Sequence, residues 1–241
     1  MTFHTDLLVG KTALVTGGTT GIGAGIASTL AQLGATVIAA GVQSEKHQLP
    51  AEPAIAIQEL DVRDNTAIHT LINALPQLDL LVNCAGIISR GKEHQVDVFE
   101  NVIDINLTGT LRCCTAAREK LAQSKGCIVN TASMLSFFGG GLVPAYSASK
   151  GGIMQLTKSL AIAYADEGIR VNAVAPGWIA TSLTQALQDD PSRAEPILSR
   201  TPLKRWGTPA DVAQAVVFLC SPAASFITGT ILPVDGGYLT A

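Results

Sequence analysis

"TALVTGGTTGIG", Thr12 to Gly23, passes from a short apolar run through a glycine-rich turn into a second apolar segment of different period. Thr12–Gly17 has the continuous apolar, β-branched character of a strand covered on both faces. After the turn, Ile22, Ile26, Leu30 and Leu33 recur at three-to-four-residue spacing, which predicts a helix closed by Gly34. Gly17, Gly21 and Gly23 lie between the two. Glycine permits a tight turn and lets backbone N–H groups approach a pyrophosphate, and the helix N-terminus favours its charge. The first βα junction therefore reads as the start of a dinucleotide-binding fold; a turn that holds no ligand is the competing reading.

The rest of the chain repeats the alternation. Strands are expected at "TVIAA" (Thr36–Ala40), "AIAIQ" (Ala54–Gln58), "LDLLVN" (Leu78–Asn83), "GCIVNTAS" (Gly126–Ser133), "IRVNAVAPG" (Ile169–Gly177) and "GTILPVDGG" (Gly229–Gly237). Long helices are expected over Val96–Ala122 and Ala145–Gly168, and a shorter one over Pro209–Ser221. Repeated βαβ units predict an α/β fold of the Rossmann type: a doubly wound parallel sheet in a single domain over residues 1–241. From about Thr181 to Gly207 the rhythm breaks into a segment with Pro191, Pro196, Pro202 and "QDDPSRAE", which predicts a lid over a substrate.

Composition narrows the classes. The 241 residues are 47% hydrophobic and 15% charged, as for a well-buried globular protein. A net charge of −3 with scattered lysines and arginines gives no footprint for nucleic acid. Cys84, Cys113, Cys114, Cys127 and Cys220 follow no zinc-ligand spacing, and His4, His47, His69 and His94 lie far from them, so no metal is expected. The start "MTFHTDLLVGK" lacks a basic, apolar leader, and no apolar run reaches the roughly 18 residues of a membrane span. A cytoplasmic protein with no membrane partner and reduced thiols is expected.

"PAYSASKGGI", Pro144 to Ile153, sets Tyr146 four residues before Lys150 on one helix face. A phenol with pKa of about 10 serves as a base at neutral pH only if a nearby cation favours its ionised form. Alone, the pair reads equally as a half-buried tyrosine and a solvated lysine.

The glycine spacing, three residues and then one, resembles that of the short-chain dehydrogenase/reductase family. Further motifs follow in that family's order: "LDV" ending at Asp61–Val62, "NCAG" at Asn83–Gly86, Asn106 in "DINLTGT", Ser133 closing "NTAS", the Tyr146/Lys150 pair, "PGWIAT" at Pro176–Thr181, and "VDGG" near the C-terminus. The resemblance spans nearly the whole chain. It implies an NAD(P)-dependent oxidoreductase acting on CH–OH groups, with Tyr146 as general acid or base and Ser133 holding the substrate oxygen against it. Lys150 would lower the Tyr146 pKa and bind the nicotinamide ribose, and Asn106 would anchor a water that relays protons from Lys150. The implied cofactor contacts are Gly17, Thr19, Thr20, Gly21 and Ile22 in the turn, Asp61 (accepting from the adenine amino group) and Val62, Asn83, Ala85 and Gly86, and Ile179 and Thr181. Two departures stand out. Cys84 replaces an asparagine, and the connection Gly41–Ala54, with Pro50 and Pro53, is too short for the family's usual helix.

The cofactor's 2′ position is read after the second strand. NAD enzymes usually place an acid there and NADP enzymes an arginine; this chain has Gly41, then Val42, with Thr20 in the turn. Lys46 is within reach of a 2′-phosphate but reads more readily as a solvated lysine, and with no positive group clearly placed for the phosphate NAD is weakly preferred over NADP.

"TASMLSFFGGGLVPAYSASKGGIMQLTK", "LKRWGTPADV" and "VDGGYLTA" resemble the 2-dehydro-3-deoxygluconate and gluconate 5-dehydrogenase branch, which implies a sugar acid or related hydroxy or keto compound. Arg90, just past the Asn-Cys-Ala-Gly turn, is a candidate partner for the substrate carboxylate, against the reading of a plain surface arginine. Trp178, with Phe137 and Phe138, lines an apolar pocket or simply packs. The alternatives are an NADPH-dependent acyl or simple-ketone reductase, a catalytically silent nucleotide-binding regulator, and a structural subunit. A homotetramer or homodimer through the two long helices is the expected assembly.

Overall fold

The computed structural model describes residues 3–50 and 54–241; Pro53, in the short connection noted above, lies outside them. Seven strands form one sheet: β1 (Thr12–Thr16), β2 (Thr36–Gly41), β3 (Ile55–Glu59), β4 (Leu80–Asn83), β5 (Cys127–Thr131), β6 (Arg170–Pro176) and β7 (Ile231–Val234). Their order is β3-β2-β1-β4-β5-β6-β7 and every pairing is parallel. The α-helices are α1 (Gly21–Gln32), α2 (Asn65–Ala74), α3 (Val96–Ile103), α4 (Gly109–Ser124), α5 (Pro144–Tyr164), α6 (Gln185–Gln188), α7 (Pro191–Arg200) and α8 (Pro209–Cys220).

The continuous apolar strands are explained by cover on both faces. Side chains alternate across a strand, so Val15, Val82 and Val129 enter one core with Ile26 and Leu30 of α1 and Val212 and Val216 of α8. Their neighbours Leu14, Leu81 and Ile128 enter the other, with Ile68 and Ile72 of α2, Leu121 of α4 and Leu160 of α5. α2 is absent from the periodicity reading; Asp64 caps it by accepting the Ala67 N–H, and Ile68 and Ile72 bury its inner face.

Three features bear on the site. The long helix expected over Val96–Ala122 is interrupted by a π-helical turn at Asp104–Thr108, a feature that re-aims side chains and is frequent at functional sites. Between β2 and β3 the described residues form only a 3₁₀ turn, Ser44–Lys46. The Glu59 carboxylate holds that turn, accepting the N–H groups of Gln43 at 3.0 Å and Ser44 at 2.8 Å. The excursion after β6 carries α6 and α7 and returns to its own starting point: Ala180 N–H donates to Gly207 O, Gly207 N–H donates to Trp178 O, and Ile179 and Gly207 form a parallel bridge.

The strand order reverses between β1 and β4. In such sheets the crevice at the carboxyl ends of these strands is where ligands bind. Among the described residues no helix is long and apolar enough to cross a membrane, and no histidine, cysteine or carboxylate cluster has the form of a metal site.

Candidate active site

The glycine turn occupies that crevice. Gly17 (φ +63°) and Gly21 (φ +54°) take left-handed backbone that other residues adopt only with strain. A Cβ on Gly17 would lie 2.6 Å from Ala85 N, and one on Gly23 would lie 2.1 Å from Gly17 O. The turn is thus folded against itself and against the end of β4. α1 starts here, and its first N–H groups have no partner within the helix. Thr20 precedes it in extended conformation and is exposed, and Ile22 lies in its first turn, partly buried. Thr19 is buried beneath Gly41, and the Thr181 methyl lies 3.7 Å from where a Cβ on Gly21 would be. Gln48 crosses the turn: its side-chain oxygen accepts the Gly21 N–H at 3.1 Å and its own N–H donates to Thr19 O at 2.8 Å. Nothing in the local sequence marks Gln48 for this place.

At the end of β4 the side chain of Asn83 turns inward. Its amide donates to Asn130 Oδ1 at 2.9 Å and to Cys114 Sγ, and its oxygen accepts from Thr16 Oγ1. The expected cofactor contact of Asn83 is therefore limited to its backbone. Cys84 faces Thr131 with 3.1 Å between Sγ and Oγ1, and burial pushes its thiol up to about 11. Beyond it the chain passes through Ala85 to Gly86, which is exposed. A Cβ on Gly86 would lie 3.3 Å from Asn106 Oδ1 and 3.8 Å from Lys150 Nζ, so both side chains face this bare stretch of backbone.

Asn106 sits in the π-helical turn. Oδ1 accepts the Ile87 N–H at 2.8 Å, while Nδ2 donates to Ile87 O and to Ser149 Oγ. Ser149 Oγ in turn donates to Tyr146 O, so Asn106 braces the strand-four loop against the start of α5. The expected water anchor is a side chain already engaged: both amide hydrogens are taken, and one lone pair of Oδ1 is open.

Ser133, Tyr146 and Lys150 converge beside it. Ser133 is buried and caps the 3₁₀ turn Met134–Ser136, accepting the Leu135 N–H. Lys150 is 5% exposed; its ammonium donates to Thr131 O at 2.6 Å and stands 5.5 Å from the centre of the Tyr146 ring. Burial brings its pKa down to about 8. Burial raises the phenol above its ordinary value, the Ser133 hydroxyl opposes this, and the Glu93 charge adds to it. Helical spacing puts the lysine on the face of Tyr146, and a strand carbonyl, Thr131 O, holds its ammonium there.

The outlying candidates divide. Asp61 is ion-paired with Arg63, which approaches both its oxygens and holds its pKa below the usual carboxylate value. Val62 is buried against Gly109, and Ile179 is buried at the root of the excursion. Trp178 packs edge-on against Trp206 and Tyr238, Phe138 stacks on Tyr238, and Phe137 is exposed. Trp178 also lines a cavity of about 480 Å³ with Leu203, Pro233 and Asp235, whose walls include neither Ser133 nor Tyr146. The glycine turn and the Ser133, Tyr146 and Lys150 group lie outside this cavity's lining. Arg90 is exposed on a turn whose next residue, Gly91, donates to Leu142 O, and its guanidinium makes no hydrogen bond among the described residues.

The residues present fit a nicotinamide dinucleotide: a tight turn opening a helix at the switch point for the pyrophosphate, and a buried ammonium beside an open glycine for a ribose. A family profile described as enoyl-(acyl carrier protein) reductase matches residues 17–239. The chain is 44% identical to a 2-dehydro-3-deoxy-D-gluconate 5-dehydrogenase of Bacillus subtilis, over 97% of this chain and 96% of that protein. It is 39% identical to a 3-oxoacyl-[acyl-carrier-protein] reductase of Rickettsia felis, over 96% and 98%. Its fold matches a gluconate 5-dehydrogenase from Burkholderia cenocepacia, crystallised with NADP and tartrate, with a TM-score of 0.91 and 31% identity over 98% of each chain.

Proposed function

The chain belongs to the short-chain dehydrogenase/reductase family, and on that premise we propose that it interconverts a secondary alcohol and a ketone on a sugar acid or related hydroxy acid. The observation that carries this reading is the convergence of the Tyr146 phenol, the buried Ser133 hydroxyl and the buried Lys150 ammonium, which stands 5.5 Å from the Tyr146 ring. The nicotinamide, when bound, supplies or accepts the hydride. Ser133 then hydrogen-bonds the substrate oxygen and holds it against Tyr146, which gives it a proton in reduction and removes one in oxidation. Lys150, with a pKa of about 8, is poised to return that proton near neutral pH and to hold ribose hydroxyls over Gly86. Asn106 fixes the strand-four loop and α5 at the spacing this needs. The first turn of α1 takes the pyrophosphate, the Asp61–Val62 segment the adenine, and Ile179 and Thr181 the carboxamide end.

Arg90, exposed at the mouth, supplies a cation for the substrate carboxylate. The segment 181–207 closes over the substrate as a lid. NAD is the preferred cofactor: besides the lack of a basic residue at Gly41, Val42 and Thr20, the Gln43 and Ser44 N–H groups that would suit a 2′-phosphate already hold Glu59. Lys46 argues the other way, but its ammonium donates to Gln43 Oε1. The assembly is a homotetramer or homodimer through α4 and α5, which expose Leu111 and Ile162. The five free thiols suit a reducing cytoplasm.

Tyr146→Phe tests the reading: turnover of sugar acids followed by nicotinamide absorbance is lost while nucleotide binding persists, and activity within tenfold of the parent overturns it. Exposed Phe137 favours one second reading, a reductase of acyl or simple ketones. A panel of sugar acids, simple ketones and acyl thioesters with both cofactors separates the two.

A further inference from the structure

Glu93 is a buried carboxylate that the proton-transfer set does not use. It is 1% exposed, and among the described residues it forms no ion pair. A carboxylate in that position is tolerated only if hydrogen-bond donors replace the lost water. Both oxygens have one: Oε1 accepts the Ser89 N–H at 2.7 Å and Oε2 accepts the Tyr146 N–H at 2.8 Å. Tyr146 is the third residue of α5, so its N–H is one of the donors a helix leaves unpaired at its start. The residue before α5, Val143, offers no side-chain cap, and Pro144 at the first position has no N–H. The carboxylate fills that vacancy from 53 residues away in sequence and lies at the favourable end of the helix dipole.

We propose that Glu93 is a positioning residue for the reaction: it fixes the backbone of Tyr146 against the segment at the mouth of the site and holds a negative charge behind the phenol. The inference rests on the reading of Tyr146 as the proton donor. Three kinds of group face the phenol. Lys150 comes from α5 itself, and its ammonium is drawn off to Thr131 O. Ser133 comes from the loop after β5, and its hydroxyl favours ionisation. Glu93 comes from the loop after β4 and opposes ionisation. The other ionisable residues of that loop, Arg90, Lys92 and His94, are exposed, and His94 meets Gly141 O. A phenol kept protonated is an acid for a carbonyl oxygen, so Glu93 biases the resting site toward reduction.

The test compares Glu93→Gln and Glu93→Asp with the parent, with Tyr146→Phe alongside. Glu93→Gln removes the charge and keeps one acceptor. Its kcat is expected to fall at least tenfold with substrate KM and nucleotide Kd within about twofold, and the half-maximum of the alcohol-oxidation pH profile to move to lower pH by half a unit or more. Glu93→Asp keeps the charge but shortens the reach, so kcat falls and the pH midpoint stays. Should Glu93→Gln fail to fold, that Asp pattern carries the test, and a shifted midpoint in it overturns the proposal. An unshifted midpoint in folded Glu93→Gln, whether activity is kept or lost with stability, reduces Glu93 to a helix cap and overturns it too. Full activity in Tyr146→Phe would instead sink the underlying reading of the phenol, whatever the Glu93 variants do.

Discussion

Replacing Lys150 by methionine should change how stability depends on pH, by an amount the burial of the lysine sets. Lys150 is 5% exposed, and burial takes its pKa from 10.5 to about 8 in the fold. A lysine whose folded pKa lies below its unfolded one opposes folding while charged; the penalty is full below the folded pKa and fades as pH rises toward the unfolded one. At 1.36 kcal/mol per unit, the drop corresponds to about 3 kcal/mol at neutral pH, of which about 2 kcal/mol is relieved by pH 9.5. Lys150→Met removes this dependence but leaves Thr131 O without its donor, a loss of about 1–3 kcal/mol that does not vary with pH. Near neutral pH the variant is therefore equal to the parent or up to about 2 kcal/mol more stable, though inactive. Between pH 7 and 9.5 the parent gains about 2 kcal/mol on it. Urea unfolding of both proteins across that range measures the difference directly, since all other titrations cancel. A difference that stays constant within about 0.5 kcal/mol would show that the lysine is not desolvated as placed.

Two further outcomes are expected. Glu59→Ala frees the Gln43 and Ser44 N–H groups and removes a negative charge, so the ratio of NADP to NAD affinity, read by titration calorimetry, rises about tenfold; an unchanged ratio removes Glu59 from cofactor choice. Asn83→Ala breaks a buried network running through Thr16, Asn83, Asn130 and Thr157, lowering stability by about 1–3 kcal/mol in denaturant unfolding. Its nucleotide Kd stays within twofold, because the side chain faces the core; a large loss of nucleotide affinity without loss of stability would contradict that orientation.

What the sequence makes legible is what short-range chemistry determines. Thr12–Gly23 announces strand, turn and helix because glycine placement and apolar period act within a dozen residues. Tyr146 and Lys150 announce themselves because helical spacing fixes their common face. The partners that tune these groups are hidden, because each crosses between elements. Gln48 reaches the turn through a loop of unusual length, and Glu93 reaches α5 from the end of another strand. The direction of the Lys150 ammonium depends on Thr131 O, which only the placement of β5 under α5 supplies. The same limit explains Asn83: the motif names the residue, but its register partner Asn130 on β5 decides which way the side chain turns.

The root of the excursion after β6 has a consequence for how this scaffold can be altered. Trp178–Ala180 and Gly207 are bonded to each other, and the end of the excursion is tied to the C-terminal segment by Leu203 N–H donating to Gly236 O and by Arg200 over the Tyr238 ring, so its contacts with the body gather near its two ends. Doubling the length of a flexible loop with fixed ends costs only about 0.6 kcal/mol. Segments of other length and composition can therefore be grafted between Thr184 and Ser199 with little strain passed to β6, and on the proposed reading of this segment as a lid, substrate range becomes an exchangeable cassette on an unchanged scaffold.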